Sequence, residues 1–395
     1  MASSQQAALA QRQLAFLSAG FRPFFLLGAV WSAIAVPVWL AAYFHGYAPS
    51  GMPAMLWHAH EMVYGFGLAA VAGFLLTAIP NWTGRLPLAG GRLAVLAGLW
   101  LAGRLALLAS GTLGPLATML VDLAFPAVFL AAIGRELIAG RNYRNLPMLG
   151  ALGLLLAGSL LAHLQALGLA YTAALGNRLG IATLCSLIAL VGGRIVPSFT
   201  RNWLARMKPG QALPASPSRL DLACLALTIA ALLVWSLLPD APVAFAMAIA
   251  GGAAAAVRLA RWRGLATLAE PLLAILHLGY AWLAFGLLLV GLNGFYAWLP
   301  PSAGLHALTV GAIGTMTLAV MTRASLGHSG RPLHAGAGTS AIYLLVTAAA
   351  LLRLAAPLAG GLFPIVTSLS GLAWSAAFAL FALLYGPLLL RPREP

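Results

Sequence analysis

The sequence predicts an all-α, polytopic integral membrane protein of about twelve transmembrane helices, and three observations carry that reading. Of its 395 residues, 62% are hydrophobic and only 7% are charged, with a mean hydropathy of +0.95. No water-soluble core hides that much apolar surface, so the solvent must be lipid. The apolar residues also fall into windows of roughly 20, the length that crosses a bilayer as a helix. The 43 glycines suit helices packed in lipid, where small residues let backbones approach.

In chain order the windows lie near residues 20–44, 56–79, 92–110, 114–134, 146–169, 177–196, 219–238, 241–260, 270–292, 303–322, 339–358 and 362–390. Residues 1–395 read as a single transmembrane domain. The opening MASSQQAALAQRQLAF has no short apolar segment ahead of a cleavage site, so the first span is expected to act as the insertion signal. Residues 197–218, with RMKPGQALPASPS, read as a flexible connection rather than a domain. Cys185 and Cys224 both lie inside apolar windows, and no Cys-x-x-Cys occurs. This excludes a disulfide framework and argues against a thiolate metal site.

The formal charge of +15 would suggest nucleic acid on a soluble chain. Here the bases are spread singly over loops, with no dense patch and no interleaved exposed aromatics, so a nucleic-acid partner is excluded. They separate instead by side. One set of loops carries Arg85, Arg92, Arg135, Arg141, Arg144, Arg194, Arg201, Arg206, Lys208, Arg219, Arg258, Arg261, Arg263, Arg323 and Arg331, and the termini add Arg12, Arg22, Arg391 and Arg393. The opposite loops hold essentially Arg178. The positive-inside rule therefore places both termini in the cytoplasm, in agreement with an even number of spans. Trp31, Trp39, Trp57, Trp100, Trp235 and Trp298 read mostly as the aromatic belt at the membrane interfaces.

Three helix starts look alike: RPFFLLG, LPMLGAL and EPLLAIL. Their prolines, Pro23, Pro147 and Pro271, are spaced by two intervals of 124 residues, and proline at a first turn is favoured because its missing N–H would be unpaired anyway. On the same register His58 answers to His306, and Arg104 answers to Arg353 with an offset one residue longer. Three parallel four-helix repeats follow, at 20–145, 146–268 and 269–390.

Ionisable residues inside a membrane cost a few kcal/mol each on insertion scales and mark pathways or sites. Depth follows from a helix rise of about 1.5 Å per residue. His58, His60, Glu61, His306, Arg104 and Arg353 fall in the outer half, with Asp122 about 12 Å in from the outer end of the fourth span. His277 falls in the inner half, and His328, in RASLGHSGRPL, at the cytoplasmic rim. His58 and His60 are about 200° apart on a regular helix, so they do not bind one metal together there. Neutral imidazoles suit haem iron, copper and zinc alike. Arg104 and Arg353 either hold haem propionates or pair with Asp122 and Glu61 as structural ion pairs. His45 and His334 read as loop histidines, and His163 as a polar residue facing the bundle or the interface. With no Cys-x-x-Cys-His, covalent haem attachment is excluded, and any haem is b-like.

The stretches GFRPFFLLGAVW, WHAHEMVYGFGLAAVAGFLLTAIPNWTGR, WLAGRLALL, GGRIVPSFTRN, LHLGYAW and LHALTVGAIGTMTLAVMTRASLGHSGR resemble the NnrS family of bacterial membrane proteins. The resemblance runs from about residue 14 to residue 333. It implies a multi-pass protein of the bacterial inner membrane, linked to denitrification and nitrosative stress, with one or two haem b groups and with copper. The family's motif histidines match His58, His60, His277, His306 and His328, and its acidic partner matches Glu61. Combined with topology, these histidines split into an outer set (His58, His60, His306) and an inner set (His277, His328). The two sets are separated by roughly 15 Å of helix rise, which implies one metal centre per leaflet.

The resulting expectation is haem-dependent handling of nitric oxide, an oxidoreductase that reduces or detoxifies it, with Glu61 as the proton-transfer residue. The alternatives are a haem-based sensor or sequestering protein, and a metal or haem transporter. The expected partners are the lipid bilayer, nitric oxide, an electron donor and a second copy of the chain.

Overall fold

The computed structural model describes residues 15–47, 50–296 and 300–393. The opening stretch with Arg12, and Trp298, lie outside the described residues. Among the described residues, twelve helices are long and apolar enough to cross a membrane: α1 (Phe21–His45), α2 (Ala54–Thr83), α3 (Gly91–Leu108), α4 (Pro115–Ala139), α5 (Tyr143–Ala166), α6 (Ala173–Met207), α7 (Arg219–Leu237), α8 (Pro242–Ala260), α9 (Pro271–Phe295), α10 (Pro301–His328), α11 (Ala337–Leu358) and α12 (Gly360–Leu390). No strand occurs among the described residues. In lipid the helix satisfies its backbone groups internally, which is why hydropathy alone finds these elements. Prolines open α4, α8, α9 and α10 at the first turn, where no backbone N–H is needed. Cys185 and Cys224 are free thiols.

Two spans are longer than the hydropathy windows. α6 continues to Met207 and α10 to His328, so the connection expected at 197–218 shrinks to residues 208–218. The extension of α6, GRIVPSFTRNWLARM, is amphipathic. It buries Val196, Thr200 and Leu204, four residues apart on one face, and leaves its arginines to the other. Apolar composition falls there while the helix continues.

The chain divides into two compact units, one of residues 1–180, 321–332 and 378–395, the other of residues 181–320 and 333–377. The first unit contains α1–α5; the second contains α7–α9 and α11.

α2, α6 and α10 share a further feature. Each carries a π-helical segment, at Glu61–Gly67, Ile188–Gly192 and Ala307–Gly314. These are the second helices of the three expected repeats. A π turn takes an extra residue and disturbs the regular backbone ladder, and side chains supply additional donors to it. Trp100 Nε1 donates to the Gly65 carbonyl at 2.9 Å, and Arg258 Nη1 to the Ala189 carbonyl at 3.0 Å. Trp57 and Trp100 are 1% and 2% exposed, which corrects their assignment to the interfacial belt. Trp100 spends its N–H inside the bundle rather than on headgroups.

In the first unit α5 and α6 approach at glycines. A methyl on Gly158 would lie 3.0 Å from the Gly176 carbonyl and would collide with the Tyr64 hydroxyl. That hydroxyl donates to the Gly176 carbonyl at 2.6 Å. Tyr64→Phe should therefore cost about 1 kcal/mol, the usual value of one buried hydrogen bond. Gly158→Ala should cost more, because backbone has to move. Thermal unfolding in detergent checks this order; equal stability of Gly158→Ala and the parent would contradict it.

Candidate functional site

The buried polar residues of the first unit converge at one place. Glu61 opens the π segment of α2, and His60 precedes it. Arg104 comes from α3, Asp122 from α4, and Ser159 and His163 from α5, one helical turn apart. All six are at most 3% exposed. Arg104 lies at the centre: its Nη1 donates to Glu61 Oε2 at 2.7 Å, and its Nη2 makes a short contact with Asp122 Oδ1. Glu61 Oε2 also accepts from Trp31 Nε1 at 2.6 Å. Neighbouring positions are small for a reason. A methyl on Gly103 would lie 2.8 Å from Asp122 Oδ1, and one on Gly65 would collide with both Arg104 and Glu61.

The other oxygen of Asp122 faces the histidines. His163 Nε2 donates to Oδ2 at 2.9 Å, and His60 Nε2 lies 3.2 Å from the same atom. Ser159 Oγ stands 3.2 Å from His60 Nε2. The two imidazoles meet edge to face with centroids 5.1 Å apart. His60, Asp122 and His163 each offer one ligand atom, and these atoms lie within 4.8 Å of one another. Beside them is a cavity of about 250 Å³, whose lining includes His163, Thr118, Ser110, Met52 and Pro53. Polar groups thus run without a break from the cavity through His163, Asp122 and Arg104 to Glu61. The Oε1 atom of Glu61 is buried with no hydrogen-bond partner.

The residues singled out from sequence distribute unevenly around this group. His60, Glu61 and Arg104 belong to it. His58 stacks on Trp39, with centroids 4.1 Å apart. His328 packs its ring 5.5 Å from that of Phe21. The other three belong to the second unit. His277 Nε2 is 2.8 Å from Thr200 Oγ1, and Gly264 leaves no room for a methyl beside its Nδ1. His306 Nδ1 donates to the Ser302 carbonyl at 2.7 Å, and Arg353 is half-buried on α11. His334, read as a loop histidine, donates from Nδ1 to Glu270 Oε2 at 2.8 Å.

Asp122 and His163 carry more than the sequence suggested. His163 was expected to face the bundle or the interface, and it lies fully inside the polar group. The spacing of Ser159 and His163, four apart and therefore on one face, is the signal that points to a shared task. Arg104 is committed to two carboxylates, so the ion-pair reading holds for it rather than the propionate reading.

Haem does not fit on His60. Its ring packs against that of His163 with the Asp122 carboxylate beside both, and no slot for a macrocycle separates them. His277 Nε2 is taken by Thr200, and its Nδ1 is buried without a hydrogen-bond partner. His306 donates from Nδ1 to a backbone carbonyl, the kind of second hydrogen bond that orients metal-binding histidines.

Removing one member of a buried ion pair strands its partner at a cost of about 3–5 kcal/mol. Arg104→Gln should lose about that much stability, and Arg104→Gln with Asp122→Asn should lose less than the two single changes summed. Thermal unfolding of the four proteins measures the coupling; strict additivity would show that the pair is not coupled.

No curated protein matches the sequence. The NnrS protein family does, over residues 15–393, from the start of the described chain to the far side of α12. The buried group described above lies wholly inside the matched region, and on that near-complete match the chain belongs to the NnrS family.

Proposed function

We propose that this protein consumes nitric oxide within the bacterial inner membrane, at the buried polar group of its first unit. The observation that supports this most is the continuous run of polar groups from the cavity to a carboxylate oxygen with no hydrogen-bond partner. Nitric oxide is apolar enough to arrive through lipid, but protons are not. Reduction of two molecules of nitric oxide takes two electrons and two protons, and yields nitrous oxide and water. A membrane-soluble electron donor supplies the electrons. His163 and Asp122 exchange protons with the cavity, Arg104 stays protonated and holds the two carboxylates in place, and Glu61 is the acid on its far side.

Haem b and copper are the cofactors that membership of this family suggests. His306, oriented by its hydrogen bond to the Ser302 carbonyl, is the motif histidine that would hold haem. When bound, haem supplies one-electron chemistry and an open position for a diatomic molecule. The first unit's own contribution is a buried set of groups that exchange protons away from bulk water.

Purified, reduced protein in an anaerobic nitric oxide electrode tests the reading. Repeated turnover is expected, and Glu61→Gln should lower it by about 10²-fold or more, the size of a general-acid contribution, while metal and haem contents stay at parent levels. A single stoichiometric uptake without turnover would make this a sequestering or sensing protein instead. Unchanged turnover in Glu61→Gln would remove Glu61 from the reaction.

A further inference from the structure

We propose that His60, His163 and Asp122 bind a single divalent first-row transition-metal ion, distinct from any haem and reached from the cavity beside His163. The inference deepens the reading above, and it rests on that reading only for what the ion would act on.

Geometry comes first. Donor atoms at about 2.0–2.2 Å from one ion stand about 3 Å from one another. Asp122 Oδ2 is 2.9 Å from His163 Nε2 and 3.2 Å from His60 Nε2. Both carboxylate–imidazole edges therefore already have the length they would have around an ion. The remaining edge, between the imidazoles, lies within 4.8 Å. The three donors come from α2, α4 and α5, so the ion ties together three helices that share no connecting loop beyond that between α4 and α5.

The donors also select a class of ion. Two imidazoles and one carboxylate suit Fe²⁺, Cu²⁺ or Zn²⁺, and the absence of thiolate from the set disfavours softer ions. Three protein ligands leave positions open for water or a diatomic molecule, and the cavity adjoins His163, where such a molecule would enter. Arg104 occupies Asp122 Oδ1 and leaves Oδ2 for the metal, while Ser159 Oγ, 3.2 Å from His60 Nε2 and 3.4 Å from Asp122 Oδ2, stands on the metal side as a further oxygen donor. Arg104, as an outer partner, fixes ligand orientation.

Full-length protein in detergent, stripped with a chelator, is titrated with Co²⁺, whose visible bands report coordination. The parent should take up one Co²⁺ per chain, displaceable by Zn²⁺, and His45→Ala should bind as the parent does. His163→Ala and Asp122→Asn should weaken binding by at least the 10–100-fold that loss of an outer-shell partner costs. His163→Cys should bind Co²⁺ with a new thiolate-to-metal charge-transfer band, a signal that a misfolded protein does not give. Failure of the parent to bind Co²⁺ would mean the group is a proton-sharing network and would overturn the site. So would parent-like binding by His163→Ala, or a His163→Cys protein without the band. Nitric oxide consumption is recorded on the same samples. Binding without consumption leaves the site standing and removes the functional reading; consumption without binding does the reverse.

Discussion

One guanidinium held between two carboxylates inside lipid sets the terms for the rest of the first unit. Arg104 is 2% exposed, and Glu61 and Asp122 are 0% and 3% exposed. A charge so placed has several kcal/mol of desolvation to offset, and pairing with further hydrogen bonds is the means available. The surroundings follow from that demand. Trp31 adds a donor to Glu61, Ser159 and the two histidines surround the far oxygen of Asp122, and glycine at 65 and 103 keeps methyl groups out of the guanidinium's space. Three helices, α2, α3 and α4, are fixed to one another through a single side chain. Breaking any arm leaves an unpaired charge behind, so the arrangement fixes position far more than it adds net stability.

The π segment of α2 is how two consecutive residues serve one group. On a regular helix neighbouring side chains diverge by about 100°. His60 ends the α-helical part and Glu61 begins the π turn, and they reach opposite arms of the same network, His60 to Asp122 and Glu61 to Arg104. Side chains then help satisfy the disturbed backbone, Trp100 doing so at Gly65. A comparable solution appears in α6, where Arg258 donates to Ala189. π turns cluster at functional sites because they re-aim side chains without ending the helix. Their recurrence in α2, α6 and α10 agrees with the threefold spacing of Pro23, Pro147 and Pro271.

Much of this was legible in the sequence, and the gaps have physical causes. Twelve spans could be counted because lipid leaves a chain few options but helices, and apolar length then reports each crossing. The ends of α6 and α10 were missed because hydropathy records composition, whereas the helix beyond Arg194 is amphipathic and continues on its backbone hydrogen bonds. Glu61, His60 and Arg104 stood out as charges in apolar runs. Asp122 stood out too, with an arginine as its expected partner but without its two histidines. His163 was passed over because a lone histidine near the end of a span has many uses, and nothing in linear spacing says that α5 packs its Ser159 and His163 face onto Asp122. Convergence of separate helices on one point is tertiary information. So is the reach of Trp31 to Glu61, which no interfacial rule for tryptophan anticipates.

An ion held by two imidazoles and a carboxylate in the interior of the first unit has a distinct signature in X-ray absorption at the cobalt edge of the Co²⁺-loaded parent protein. The expected spectrum has a first shell of nitrogen and oxygen alone at about 2.0–2.2 Å, with outer-shell scattering from two imidazole rings. A sulfur shell, a porphyrin pattern, or a spectrum of hydrated cobalt without imidazole would contradict it.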